Sequence, residues 1–276
     1  MAGTVMEGTV MEERMHGGSY ELDIIVQGYP GKSVCHGGLG WSTIALLRGE
    51  GRIALIDVGS FAQRGLIRER LKARGLAPAD VTDVILTHAH WDHSINWVMF
   101  ANATTWIGAG ELAWSTAQPW GHNTVPELYV RELERDPRTR RIEPGDTILP
   151  GMTAEPAPGH TPGHLFFILS IPEREILFTG DAAKNRAELL SLTADMTYDQ
   201  AESRRSMETI WARWRRRPGT LLVPGHDVPM RLENDRPTYI GPREAAISAW
   251  FEGDLERTTL FSLTLPETSS ARAAAE

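Results

Sequence analysis

The sequence predicts an α/β (α+β) fold in which two β-sheets pack together with helices on the outside. Two observations carry this prediction. Short apolar runs rich in β-branched residues recur along the chain and stop at glycine, proline or polar clusters, as strands do. Helical patterns then follow the strand runs, and this order occurs twice, with the change near residue 145.

The elements follow in order. Strands are expected at ELDIIVQ (21–27), STIALLR (42–48), RIALIDV (52–58) and DVILT (83–87). Residues 61–75 carry Leu66, Ile67 and Leu71 at helical spacing and close on Gly75, a helix with a glycine cap. TTWIG (104–108) reads as another strand, and 109–136 as helical or irregular. Strands resume at 146–150, 152–158, 164–170 and 175–180. A helix is expected at about 199–216, a strand at 220–226 and a last helix near 243–256. Residues 1–19, with GTVME repeated, read as a flexible arm. Residues 20–262 are expected to form a single domain with halves at about 20–145 and 146–262, and 263–276 a disordered tail.

A chain of 276 residues can bury a sizeable core. The net charge of −8 argues against a nucleic-acid binder, which needs a basic face. The cluster Arg213, Arg215, Arg216 and Arg217 reads as a solvated helix terminus favoured by the macrodipole. The single cysteine, Cys35, allows no intrachain disulfide and is compatible with a reducing compartment. The N-terminus has no basic region ahead of an apolar run, and no stretch of roughly 20 apolar residues occurs. The expectation is a cytoplasmic protein that meets a small-molecule substrate, with no nucleic-acid or membrane partner. A homo-oligomer stays open, because the arm could reach over the site or over a second copy.

LTHAHWDHS (86–94) concentrates His88, His90, Asp92 and His93 in six positions. In extended backbone His88 and His90 point the same way, and Asp92 and His93 follow at the turn. More polar residues stand where an apolar run meets a glycine: His160 and His164 in APGHTPGH, Asp181 in LFTGDA, and His226 in LLVPGHD. Asp57 in LIDVGS is placed similarly. Imidazoles with a few carboxylates suit zinc, iron or manganese better than calcium or magnesium. The lack of thiolates argues against a closed structural zinc site and for a catalytic one with a position left for water.

This order, His-x-His-x-Asp-His and then His, Asp and His, resembles the metallo-β-lactamase superfamily over about residues 20–235, on its glyoxalase-II-like and lactonase-like side. The resemblance implies a four-layer αββα sandwich with the site at the edge between the sheets. It implies two divalent cations, zinc first, with iron or manganese as alternatives. His88, His90 and His160 would hold one, Asp92, His93 and His226 the other, with Asp181 bridging and Asp57 in support. The implied reaction is hydrolysis of an ester, lactone, thioester or amide by a metal-activated hydroxide, with Asp92 orienting the water or moving its proton. His164 is not a family ligand and is expected to pack or hydrogen-bond near its loop.

Departures narrow the branch. The two-zinc β-lactamases carry a cysteine where Asp181 stands, nucleic-acid-processing members carry a large inserted domain, and flavodiiron members replace the second motif histidine, intact here as His90. Several lactonases place a tyrosine three residues after the bridging aspartate; here that residue is Lys184, a candidate for binding a substrate carboxylate or the oxyanion. Trp91, Trp114 and Trp120 are candidates for an aromatic substrate wall, and His122 for a segment covering the pocket, whereas Trp97 and Trp106 are expected in the core. Two other readings remain: a metal-binding sensor or scaffold without turnover, and a mononuclear-iron enzyme like the persulfide dioxygenases.

Overall fold

The computed structural model describes residues 20–35, 37–172 and 174–264. The expected arm, and the tail from residue 265 onward, lie outside them. The first sheet runs in chain order: β1 (Tyr20–Val26), β2 (Ile44–Gly49), β3 (Arg52–Ile56), β4 (Asp83–Ile85), β5 (Thr104–Gly108) and β6 (Thr139–Ile142). The first three strands are antiparallel, and β3 through β6 are parallel. The second sheet holds β7 (Thr147–Leu149), β8 (Met152–Pro156), β9 (Leu165–Ser170), β10 (Glu175–Gly180), β11 (Leu221–Pro224), β12 (Met230–Glu233) and β13 (Arg236–Tyr239). Its one parallel pair is β10 with β11.

Period-two alternation sends successive side chains to opposite faces and so builds the layers. Phe167 and Leu169 of β9 join Leu47, Ile56 and Ile85 of the first sheet in the core between the sheets. Their neighbours Phe166 and Ile168 face the other way, into a cluster with Met207, Ile210, Trp211 and Trp214. Those four lie on one stripe of helix α5 (Gln200–Arg216), whose N-cap Asp199 accepts from Ala201 N–H and Glu202 N–H. Leu46, Leu55 and Val84 cover the outer face of the first sheet with α1 (Arg64–Lys72), α2 (Ala109–Thr116) and α3 (Glu127–Arg135). The order of layers is helix, sheet, sheet, helix. Gly75 follows α1 with a φ of 73°, as the cap reading requires. A short helix, α4 (Arg186–Ser191), starts on Asn185, whose side chain accepts from Glu188 N–H.

The described residues divide into two compact units, one running to Ile240 and the other starting at Gly241, inside the span expected as one domain. In the second unit the expected last helix near 243–256 is not formed. Residues Ala246–Ala249 (β14) pair instead with Thr259–Ser262 (β15), Ile247 opposite Phe261. The cross-strand pairing of β-branched and aromatic residues outweighs the helical propensity of the EAA segment. The arginines that close α5 are not simply solvated either. Arg213 pairs with Glu175 of β10, Arg215 with Asp235, and Arg217 donates to Ile171 O. No helix among the described residues is long and apolar enough to cross a membrane.

Candidate metal centre

Parallel strands leave their C-terminal ends on one side, and open sheets place functional groups there. Asp57 follows β3 and the histidine cluster follows β4. Asp181 follows β10, His226 follows β11, and His160 sits in the loop between β8 and β9. A single turn of helix, Trp91–Ser94, carries Asp92 and His93 back toward His88.

The seven residues expected as ligands converge. His90 Nδ1 lies 2.9 Å from His160 Nε2, and His160 Nε2 lies 3.2 Å from Asp181 Oδ2. A donor atom of each of His88, His90 and His160 lies within 4.8 Å of the others. On the other side, His93 Nε2, His226 Nε2 and Asp181 Oδ1 are each 3.2 Å from one another. Asp92 Oδ2 completes this group, 3.3 Å from His226 and 3.6 Å from His93. Atoms arranged tetrahedrally at such separations sit about 2.0 Å from their common centre, a zinc–nitrogen or zinc–oxygen bond length. Asp181 thus gives one oxygen to each group. Two buried atoms, His88 Nε2 and Asp181 Oδ1, have no hydrogen-bond partner among the described residues, which a cation would supply. The donor set fits two divalent cations.

Asp57 aims the imidazoles. Its Oδ2 accepts from His93 Nδ1–H at 2.7 Å, which leaves the Nε2 lone pair for the centre. Thr87 donates its N–H and O–H to the same carboxylate, and its Oγ1 accepts from His88 Nδ1–H at 3.1 Å, so His88 Nε2 is bare as well. Asp57 holds a φ of 54°, a left-handed conformation that aspartate tolerates better than most residues. His164 accepts Asp181 N–H at Nε2 and stacks on His88 with centroids 4.9 Å apart, the packing and hydrogen-bonding place expected for it.

Electrostatics divide the centre. Burial holds His90 at about 4 and His164 at about 3, and pushes His88 and His160 well below their ordinary value. Burial also works against a charge on His93 and His226, but Asp181 and Asp92 outweigh it and raise both. This concentrated carboxylate field attracts cations of either kind, proton or metal.

A cavity of about 500 Å³ opens over the centre. His90, Asp92, His160, Asp181, Lys184 and His226 form its floor, and Trp91 and Met196 are among its walls. Trp114 lies edge-on to His90 at 6.3 Å and to Tyr198 at 6.2 Å. Lys184 is locked by an ion pair of 3.0 Å to Glu188, while its main-chain oxygen accepts His226 N–H. Of the candidates for the wall and cover, Trp91 lines the cavity and Trp114, Trp120 and His122 do not; Trp120 and His122 are exposed, and Trp120 lies under Arg131. Trp97 is buried, and Trp106 packs against the core between the sheets. Sequence reasoning missed the rim residues Lys32, Asp195 and Met196, as well as Glu111. The rim residues sit in segments without a periodic pattern. Nothing local marks Glu111, an acidic residue in the first turn of α2 beside buried Leu112 and Ser115.

A family model described as the Metallo-beta-lactamase superfamily matches residues 37–226. The chain belongs to that superfamily. The N-acyl homoserine lactonase AttM of Azorhizobium caulinodans is 31% identical over 172 residues, 57% of this chain and 62% of the relative. The match therefore spans less than two thirds of that relative's length. The solved structure of AidC, a dizinc quorum-quenching lactonase in complex with its product, superposes with a TM-score of 0.65 at 18% identity, covering 83% of this chain and 96% of AidC. A mutant of AiiA from B. thuringiensis, with N-decanoyl-L-homoserine bound at its active site, gives a TM-score of 0.61 at 19% identity, over 77% of this chain and 94% of that one. Likenesses at this identity show the fold. Divalent metals, usually zinc, are the property the superfamily shares, and the His/Asp groups described above are the matching feature of this chain.

Proposed function

We propose that this superfamily member is a hydrolase with two zinc ions that opens a lactone, or a related ester or thioester, of a small substrate bearing an apolar or ring-shaped group. One observation carries the reading: the two donor groups meet at Asp181, one carboxylate oxygen to each. Two divalent cations held there by these residues would supply a water of pKa near neutrality and polarisation of a carbonyl oxygen. The residues of the chain do the rest. Asp92 lines the cavity within 3.3 Å of His226, where it can orient the water and accept its proton. Lys184, anchored on Glu188 and part of the cavity floor, places positive charge beside the first group, where charge grows on the carbonyl oxygen. Trp91 and Met196 offer an apolar wall for an acyl chain or ring. The lactonase relative supports the choice of a lactone over an amide.

The test is a panel of acyl lactones, aryl esters and thioesters, run on zinc-loaded protein of measured metal content. Lactone turnover that stops on chelation, and that Asp92→Asn lowers by at least about 100-fold with the metal retained, is the expected result. Two bound zincs with no turnover across the panel would instead favour a binding protein, and activity indifferent to chelator would overturn the metal reading.

A further inference from the structure

Glu111 is a buried charged residue that the site described so far does not use. It lies in the first turn of α2 with no exposure to solvent, and burial pushes its carboxyl up to about 7. An apolar residue would cost less there, so its polar partners matter. Oε1 accepts Ala89 N–H at 2.9 Å, and Ala89 lies between His88 and His90. Oε2 accepts the Thr161 hydroxyl at 2.7 Å, and Thr161 follows His160. Gly163 N–H, in the same loop, is a third donor. The loop rests directly on the helix: a Cβ on Gly163 would fall 2.2 Å from Glu111 N and 2.4 Å from its Cα. One carboxylate therefore joins the segment that carries His88 and His90, from the first sheet, to the loop that carries His160, from the second. None of its hydrogen bonds goes to the segments around Asp181 or His226.

We propose that Glu111 is a positioning residue that sets the spacing of His88, His90 and His160, and with it the affinity of the first cation position alone. The inference rests on the two-cation reading above. Hydrogen-bonded partners behind metal ligands typically contribute about 10–100-fold to affinity. Glu111→Gln keeps the volume and one acceptor but replaces the other oxygen with an amide N–H₂; the Thr161 hydroxyl can turn to accept from it, whereas the backbone N–H groups of Ala89 and Gly163 cannot.

The experiment is chelator titration of the full chain loaded with cobalt, reading the visible spectrum and the metal retained. His226→Ala, which removes a ligand of the second group alone, marks which equivalent belongs to the second position. Glu111→Gln is expected to release the first equivalent at about 10–100-fold lower chelator strength while the second stays within about twofold of wild type. Thr161→Val should shift the same equivalent in the same direction, and Thr161→Ser, which keeps the hydroxyl, should restore the wild-type profile. If Glu111→Gln does not fold, the Thr161 pair carries the test by itself. Equal weakening of both equivalents, or no change in either, overturns the proposal while leaving the metal reading intact. Wild-type protein that takes up no second equivalent overturns that reading, and this inference with it.

Discussion

Gly225 offers a sharp test of how the second strand pair shapes the centre. It sits at the end of β11, just before His226, and its N–H donates to Gly180 O at 3.0 Å. A Cβ added there would lie 2.3 Å from Asp181 Oδ1 and 2.6 Å from Gly180 O. Both contacts fall roughly 1 Å inside van der Waals separation. Neither neighbour can swing away: one is backbone, and the other is the oxygen shared with His93 and His226. Gly225→Ala must therefore part β11 from the Gly180–Asp181 turn or turn the carboxylate aside. Overpacking of this size costs about 1–3 kcal/mol. A displacement of roughly 1 Å exceeds the roughly 0.2 Å tolerance of a metal–ligand distance. The expected result is a lower melting temperature together with loss of metal from the second group, and turnover down by at least about 100-fold. Gly65→Ala is the control, since a Cβ on Gly65, in α1, meets nothing within 4 Å; it should be neutral or stabilising by up to about 1 kcal/mol. Wild-type melting temperature and metal content in Gly225→Ala would refute the reasoning.

Three further outcomes follow from the same geometry. Asp57→Asn keeps a residue that tolerates the left-handed backbone but removes the charge that faces His93 Nδ1–H; metal affinity should fall about 10–100-fold with modest loss of stability, measured by chelator competition and thermal melting. Lys184→Met keeps the stem and removes the ammonium. It should lower kcat on a lactone more than it raises KM, and leave metal content near wild type; a change in KM alone would place Lys184 on the substrate's ground state instead. The metal-free protein should lose stability in acid. Burial lowers His88, His90, His160 and His164 below the ordinary histidine value, so the unfolded chain takes up protons first. Their contribution is complete above about pH 6.5 and is lost as pH falls through the unfolded value toward about 4 for His90 and 3 for His164. His93 and His226, raised by Asp181 and Asp92, and Glu111 and Glu188, raised by burial, oppose this loss. It therefore becomes net below about pH 4.5, where those four have little more to gain and the lowered Asp181 adds to it. A urea midpoint for metal-free protein at about pH 3.5 equal to or above that at about pH 5 would contradict the sign.

The strands were the most legible part of the chain because their apolar runs are bounded by glycine and proline. TTWIG and EILFTG coincide with β5 and β10 residue for residue. The seven converging side chains were legible for a related reason: each follows a strand end, and parallel neighbours bring such ends together. What stayed hidden depends on contacts distant in sequence. Lys32 meets Asp195 across the cavity rim, 163 residues apart, and no local pattern announces either. Glu111 resembles any acidic residue in a first helical turn until the loops it binds are known. Trp114, Trp120 and His122 stand near the metal motif in sequence but are not among the residues that line the cavity. The hairpin of β14 and β15 was hidden by an alanine-rich stretch whose partner strand lies about ten residues later.

Every donor group draws on both sheets. His88 and His90 come from the first and His160 from the second; Asp92 and His93 come from the first and His226 from the second. An ion seated in either group is thus a clasp across the seam of the sandwich, at one edge of its core. Neither half of the chain can build a complete set by itself, so tight loading reports that the halves have docked. Because unfolded chain lacks the clasp, stability should climb with free zinc by about 1.4 kcal/mol for each tenfold excess over the dissociation constant. Starving the cell of the ion would then act on the abundance of the folded protein as well as on its chemistry.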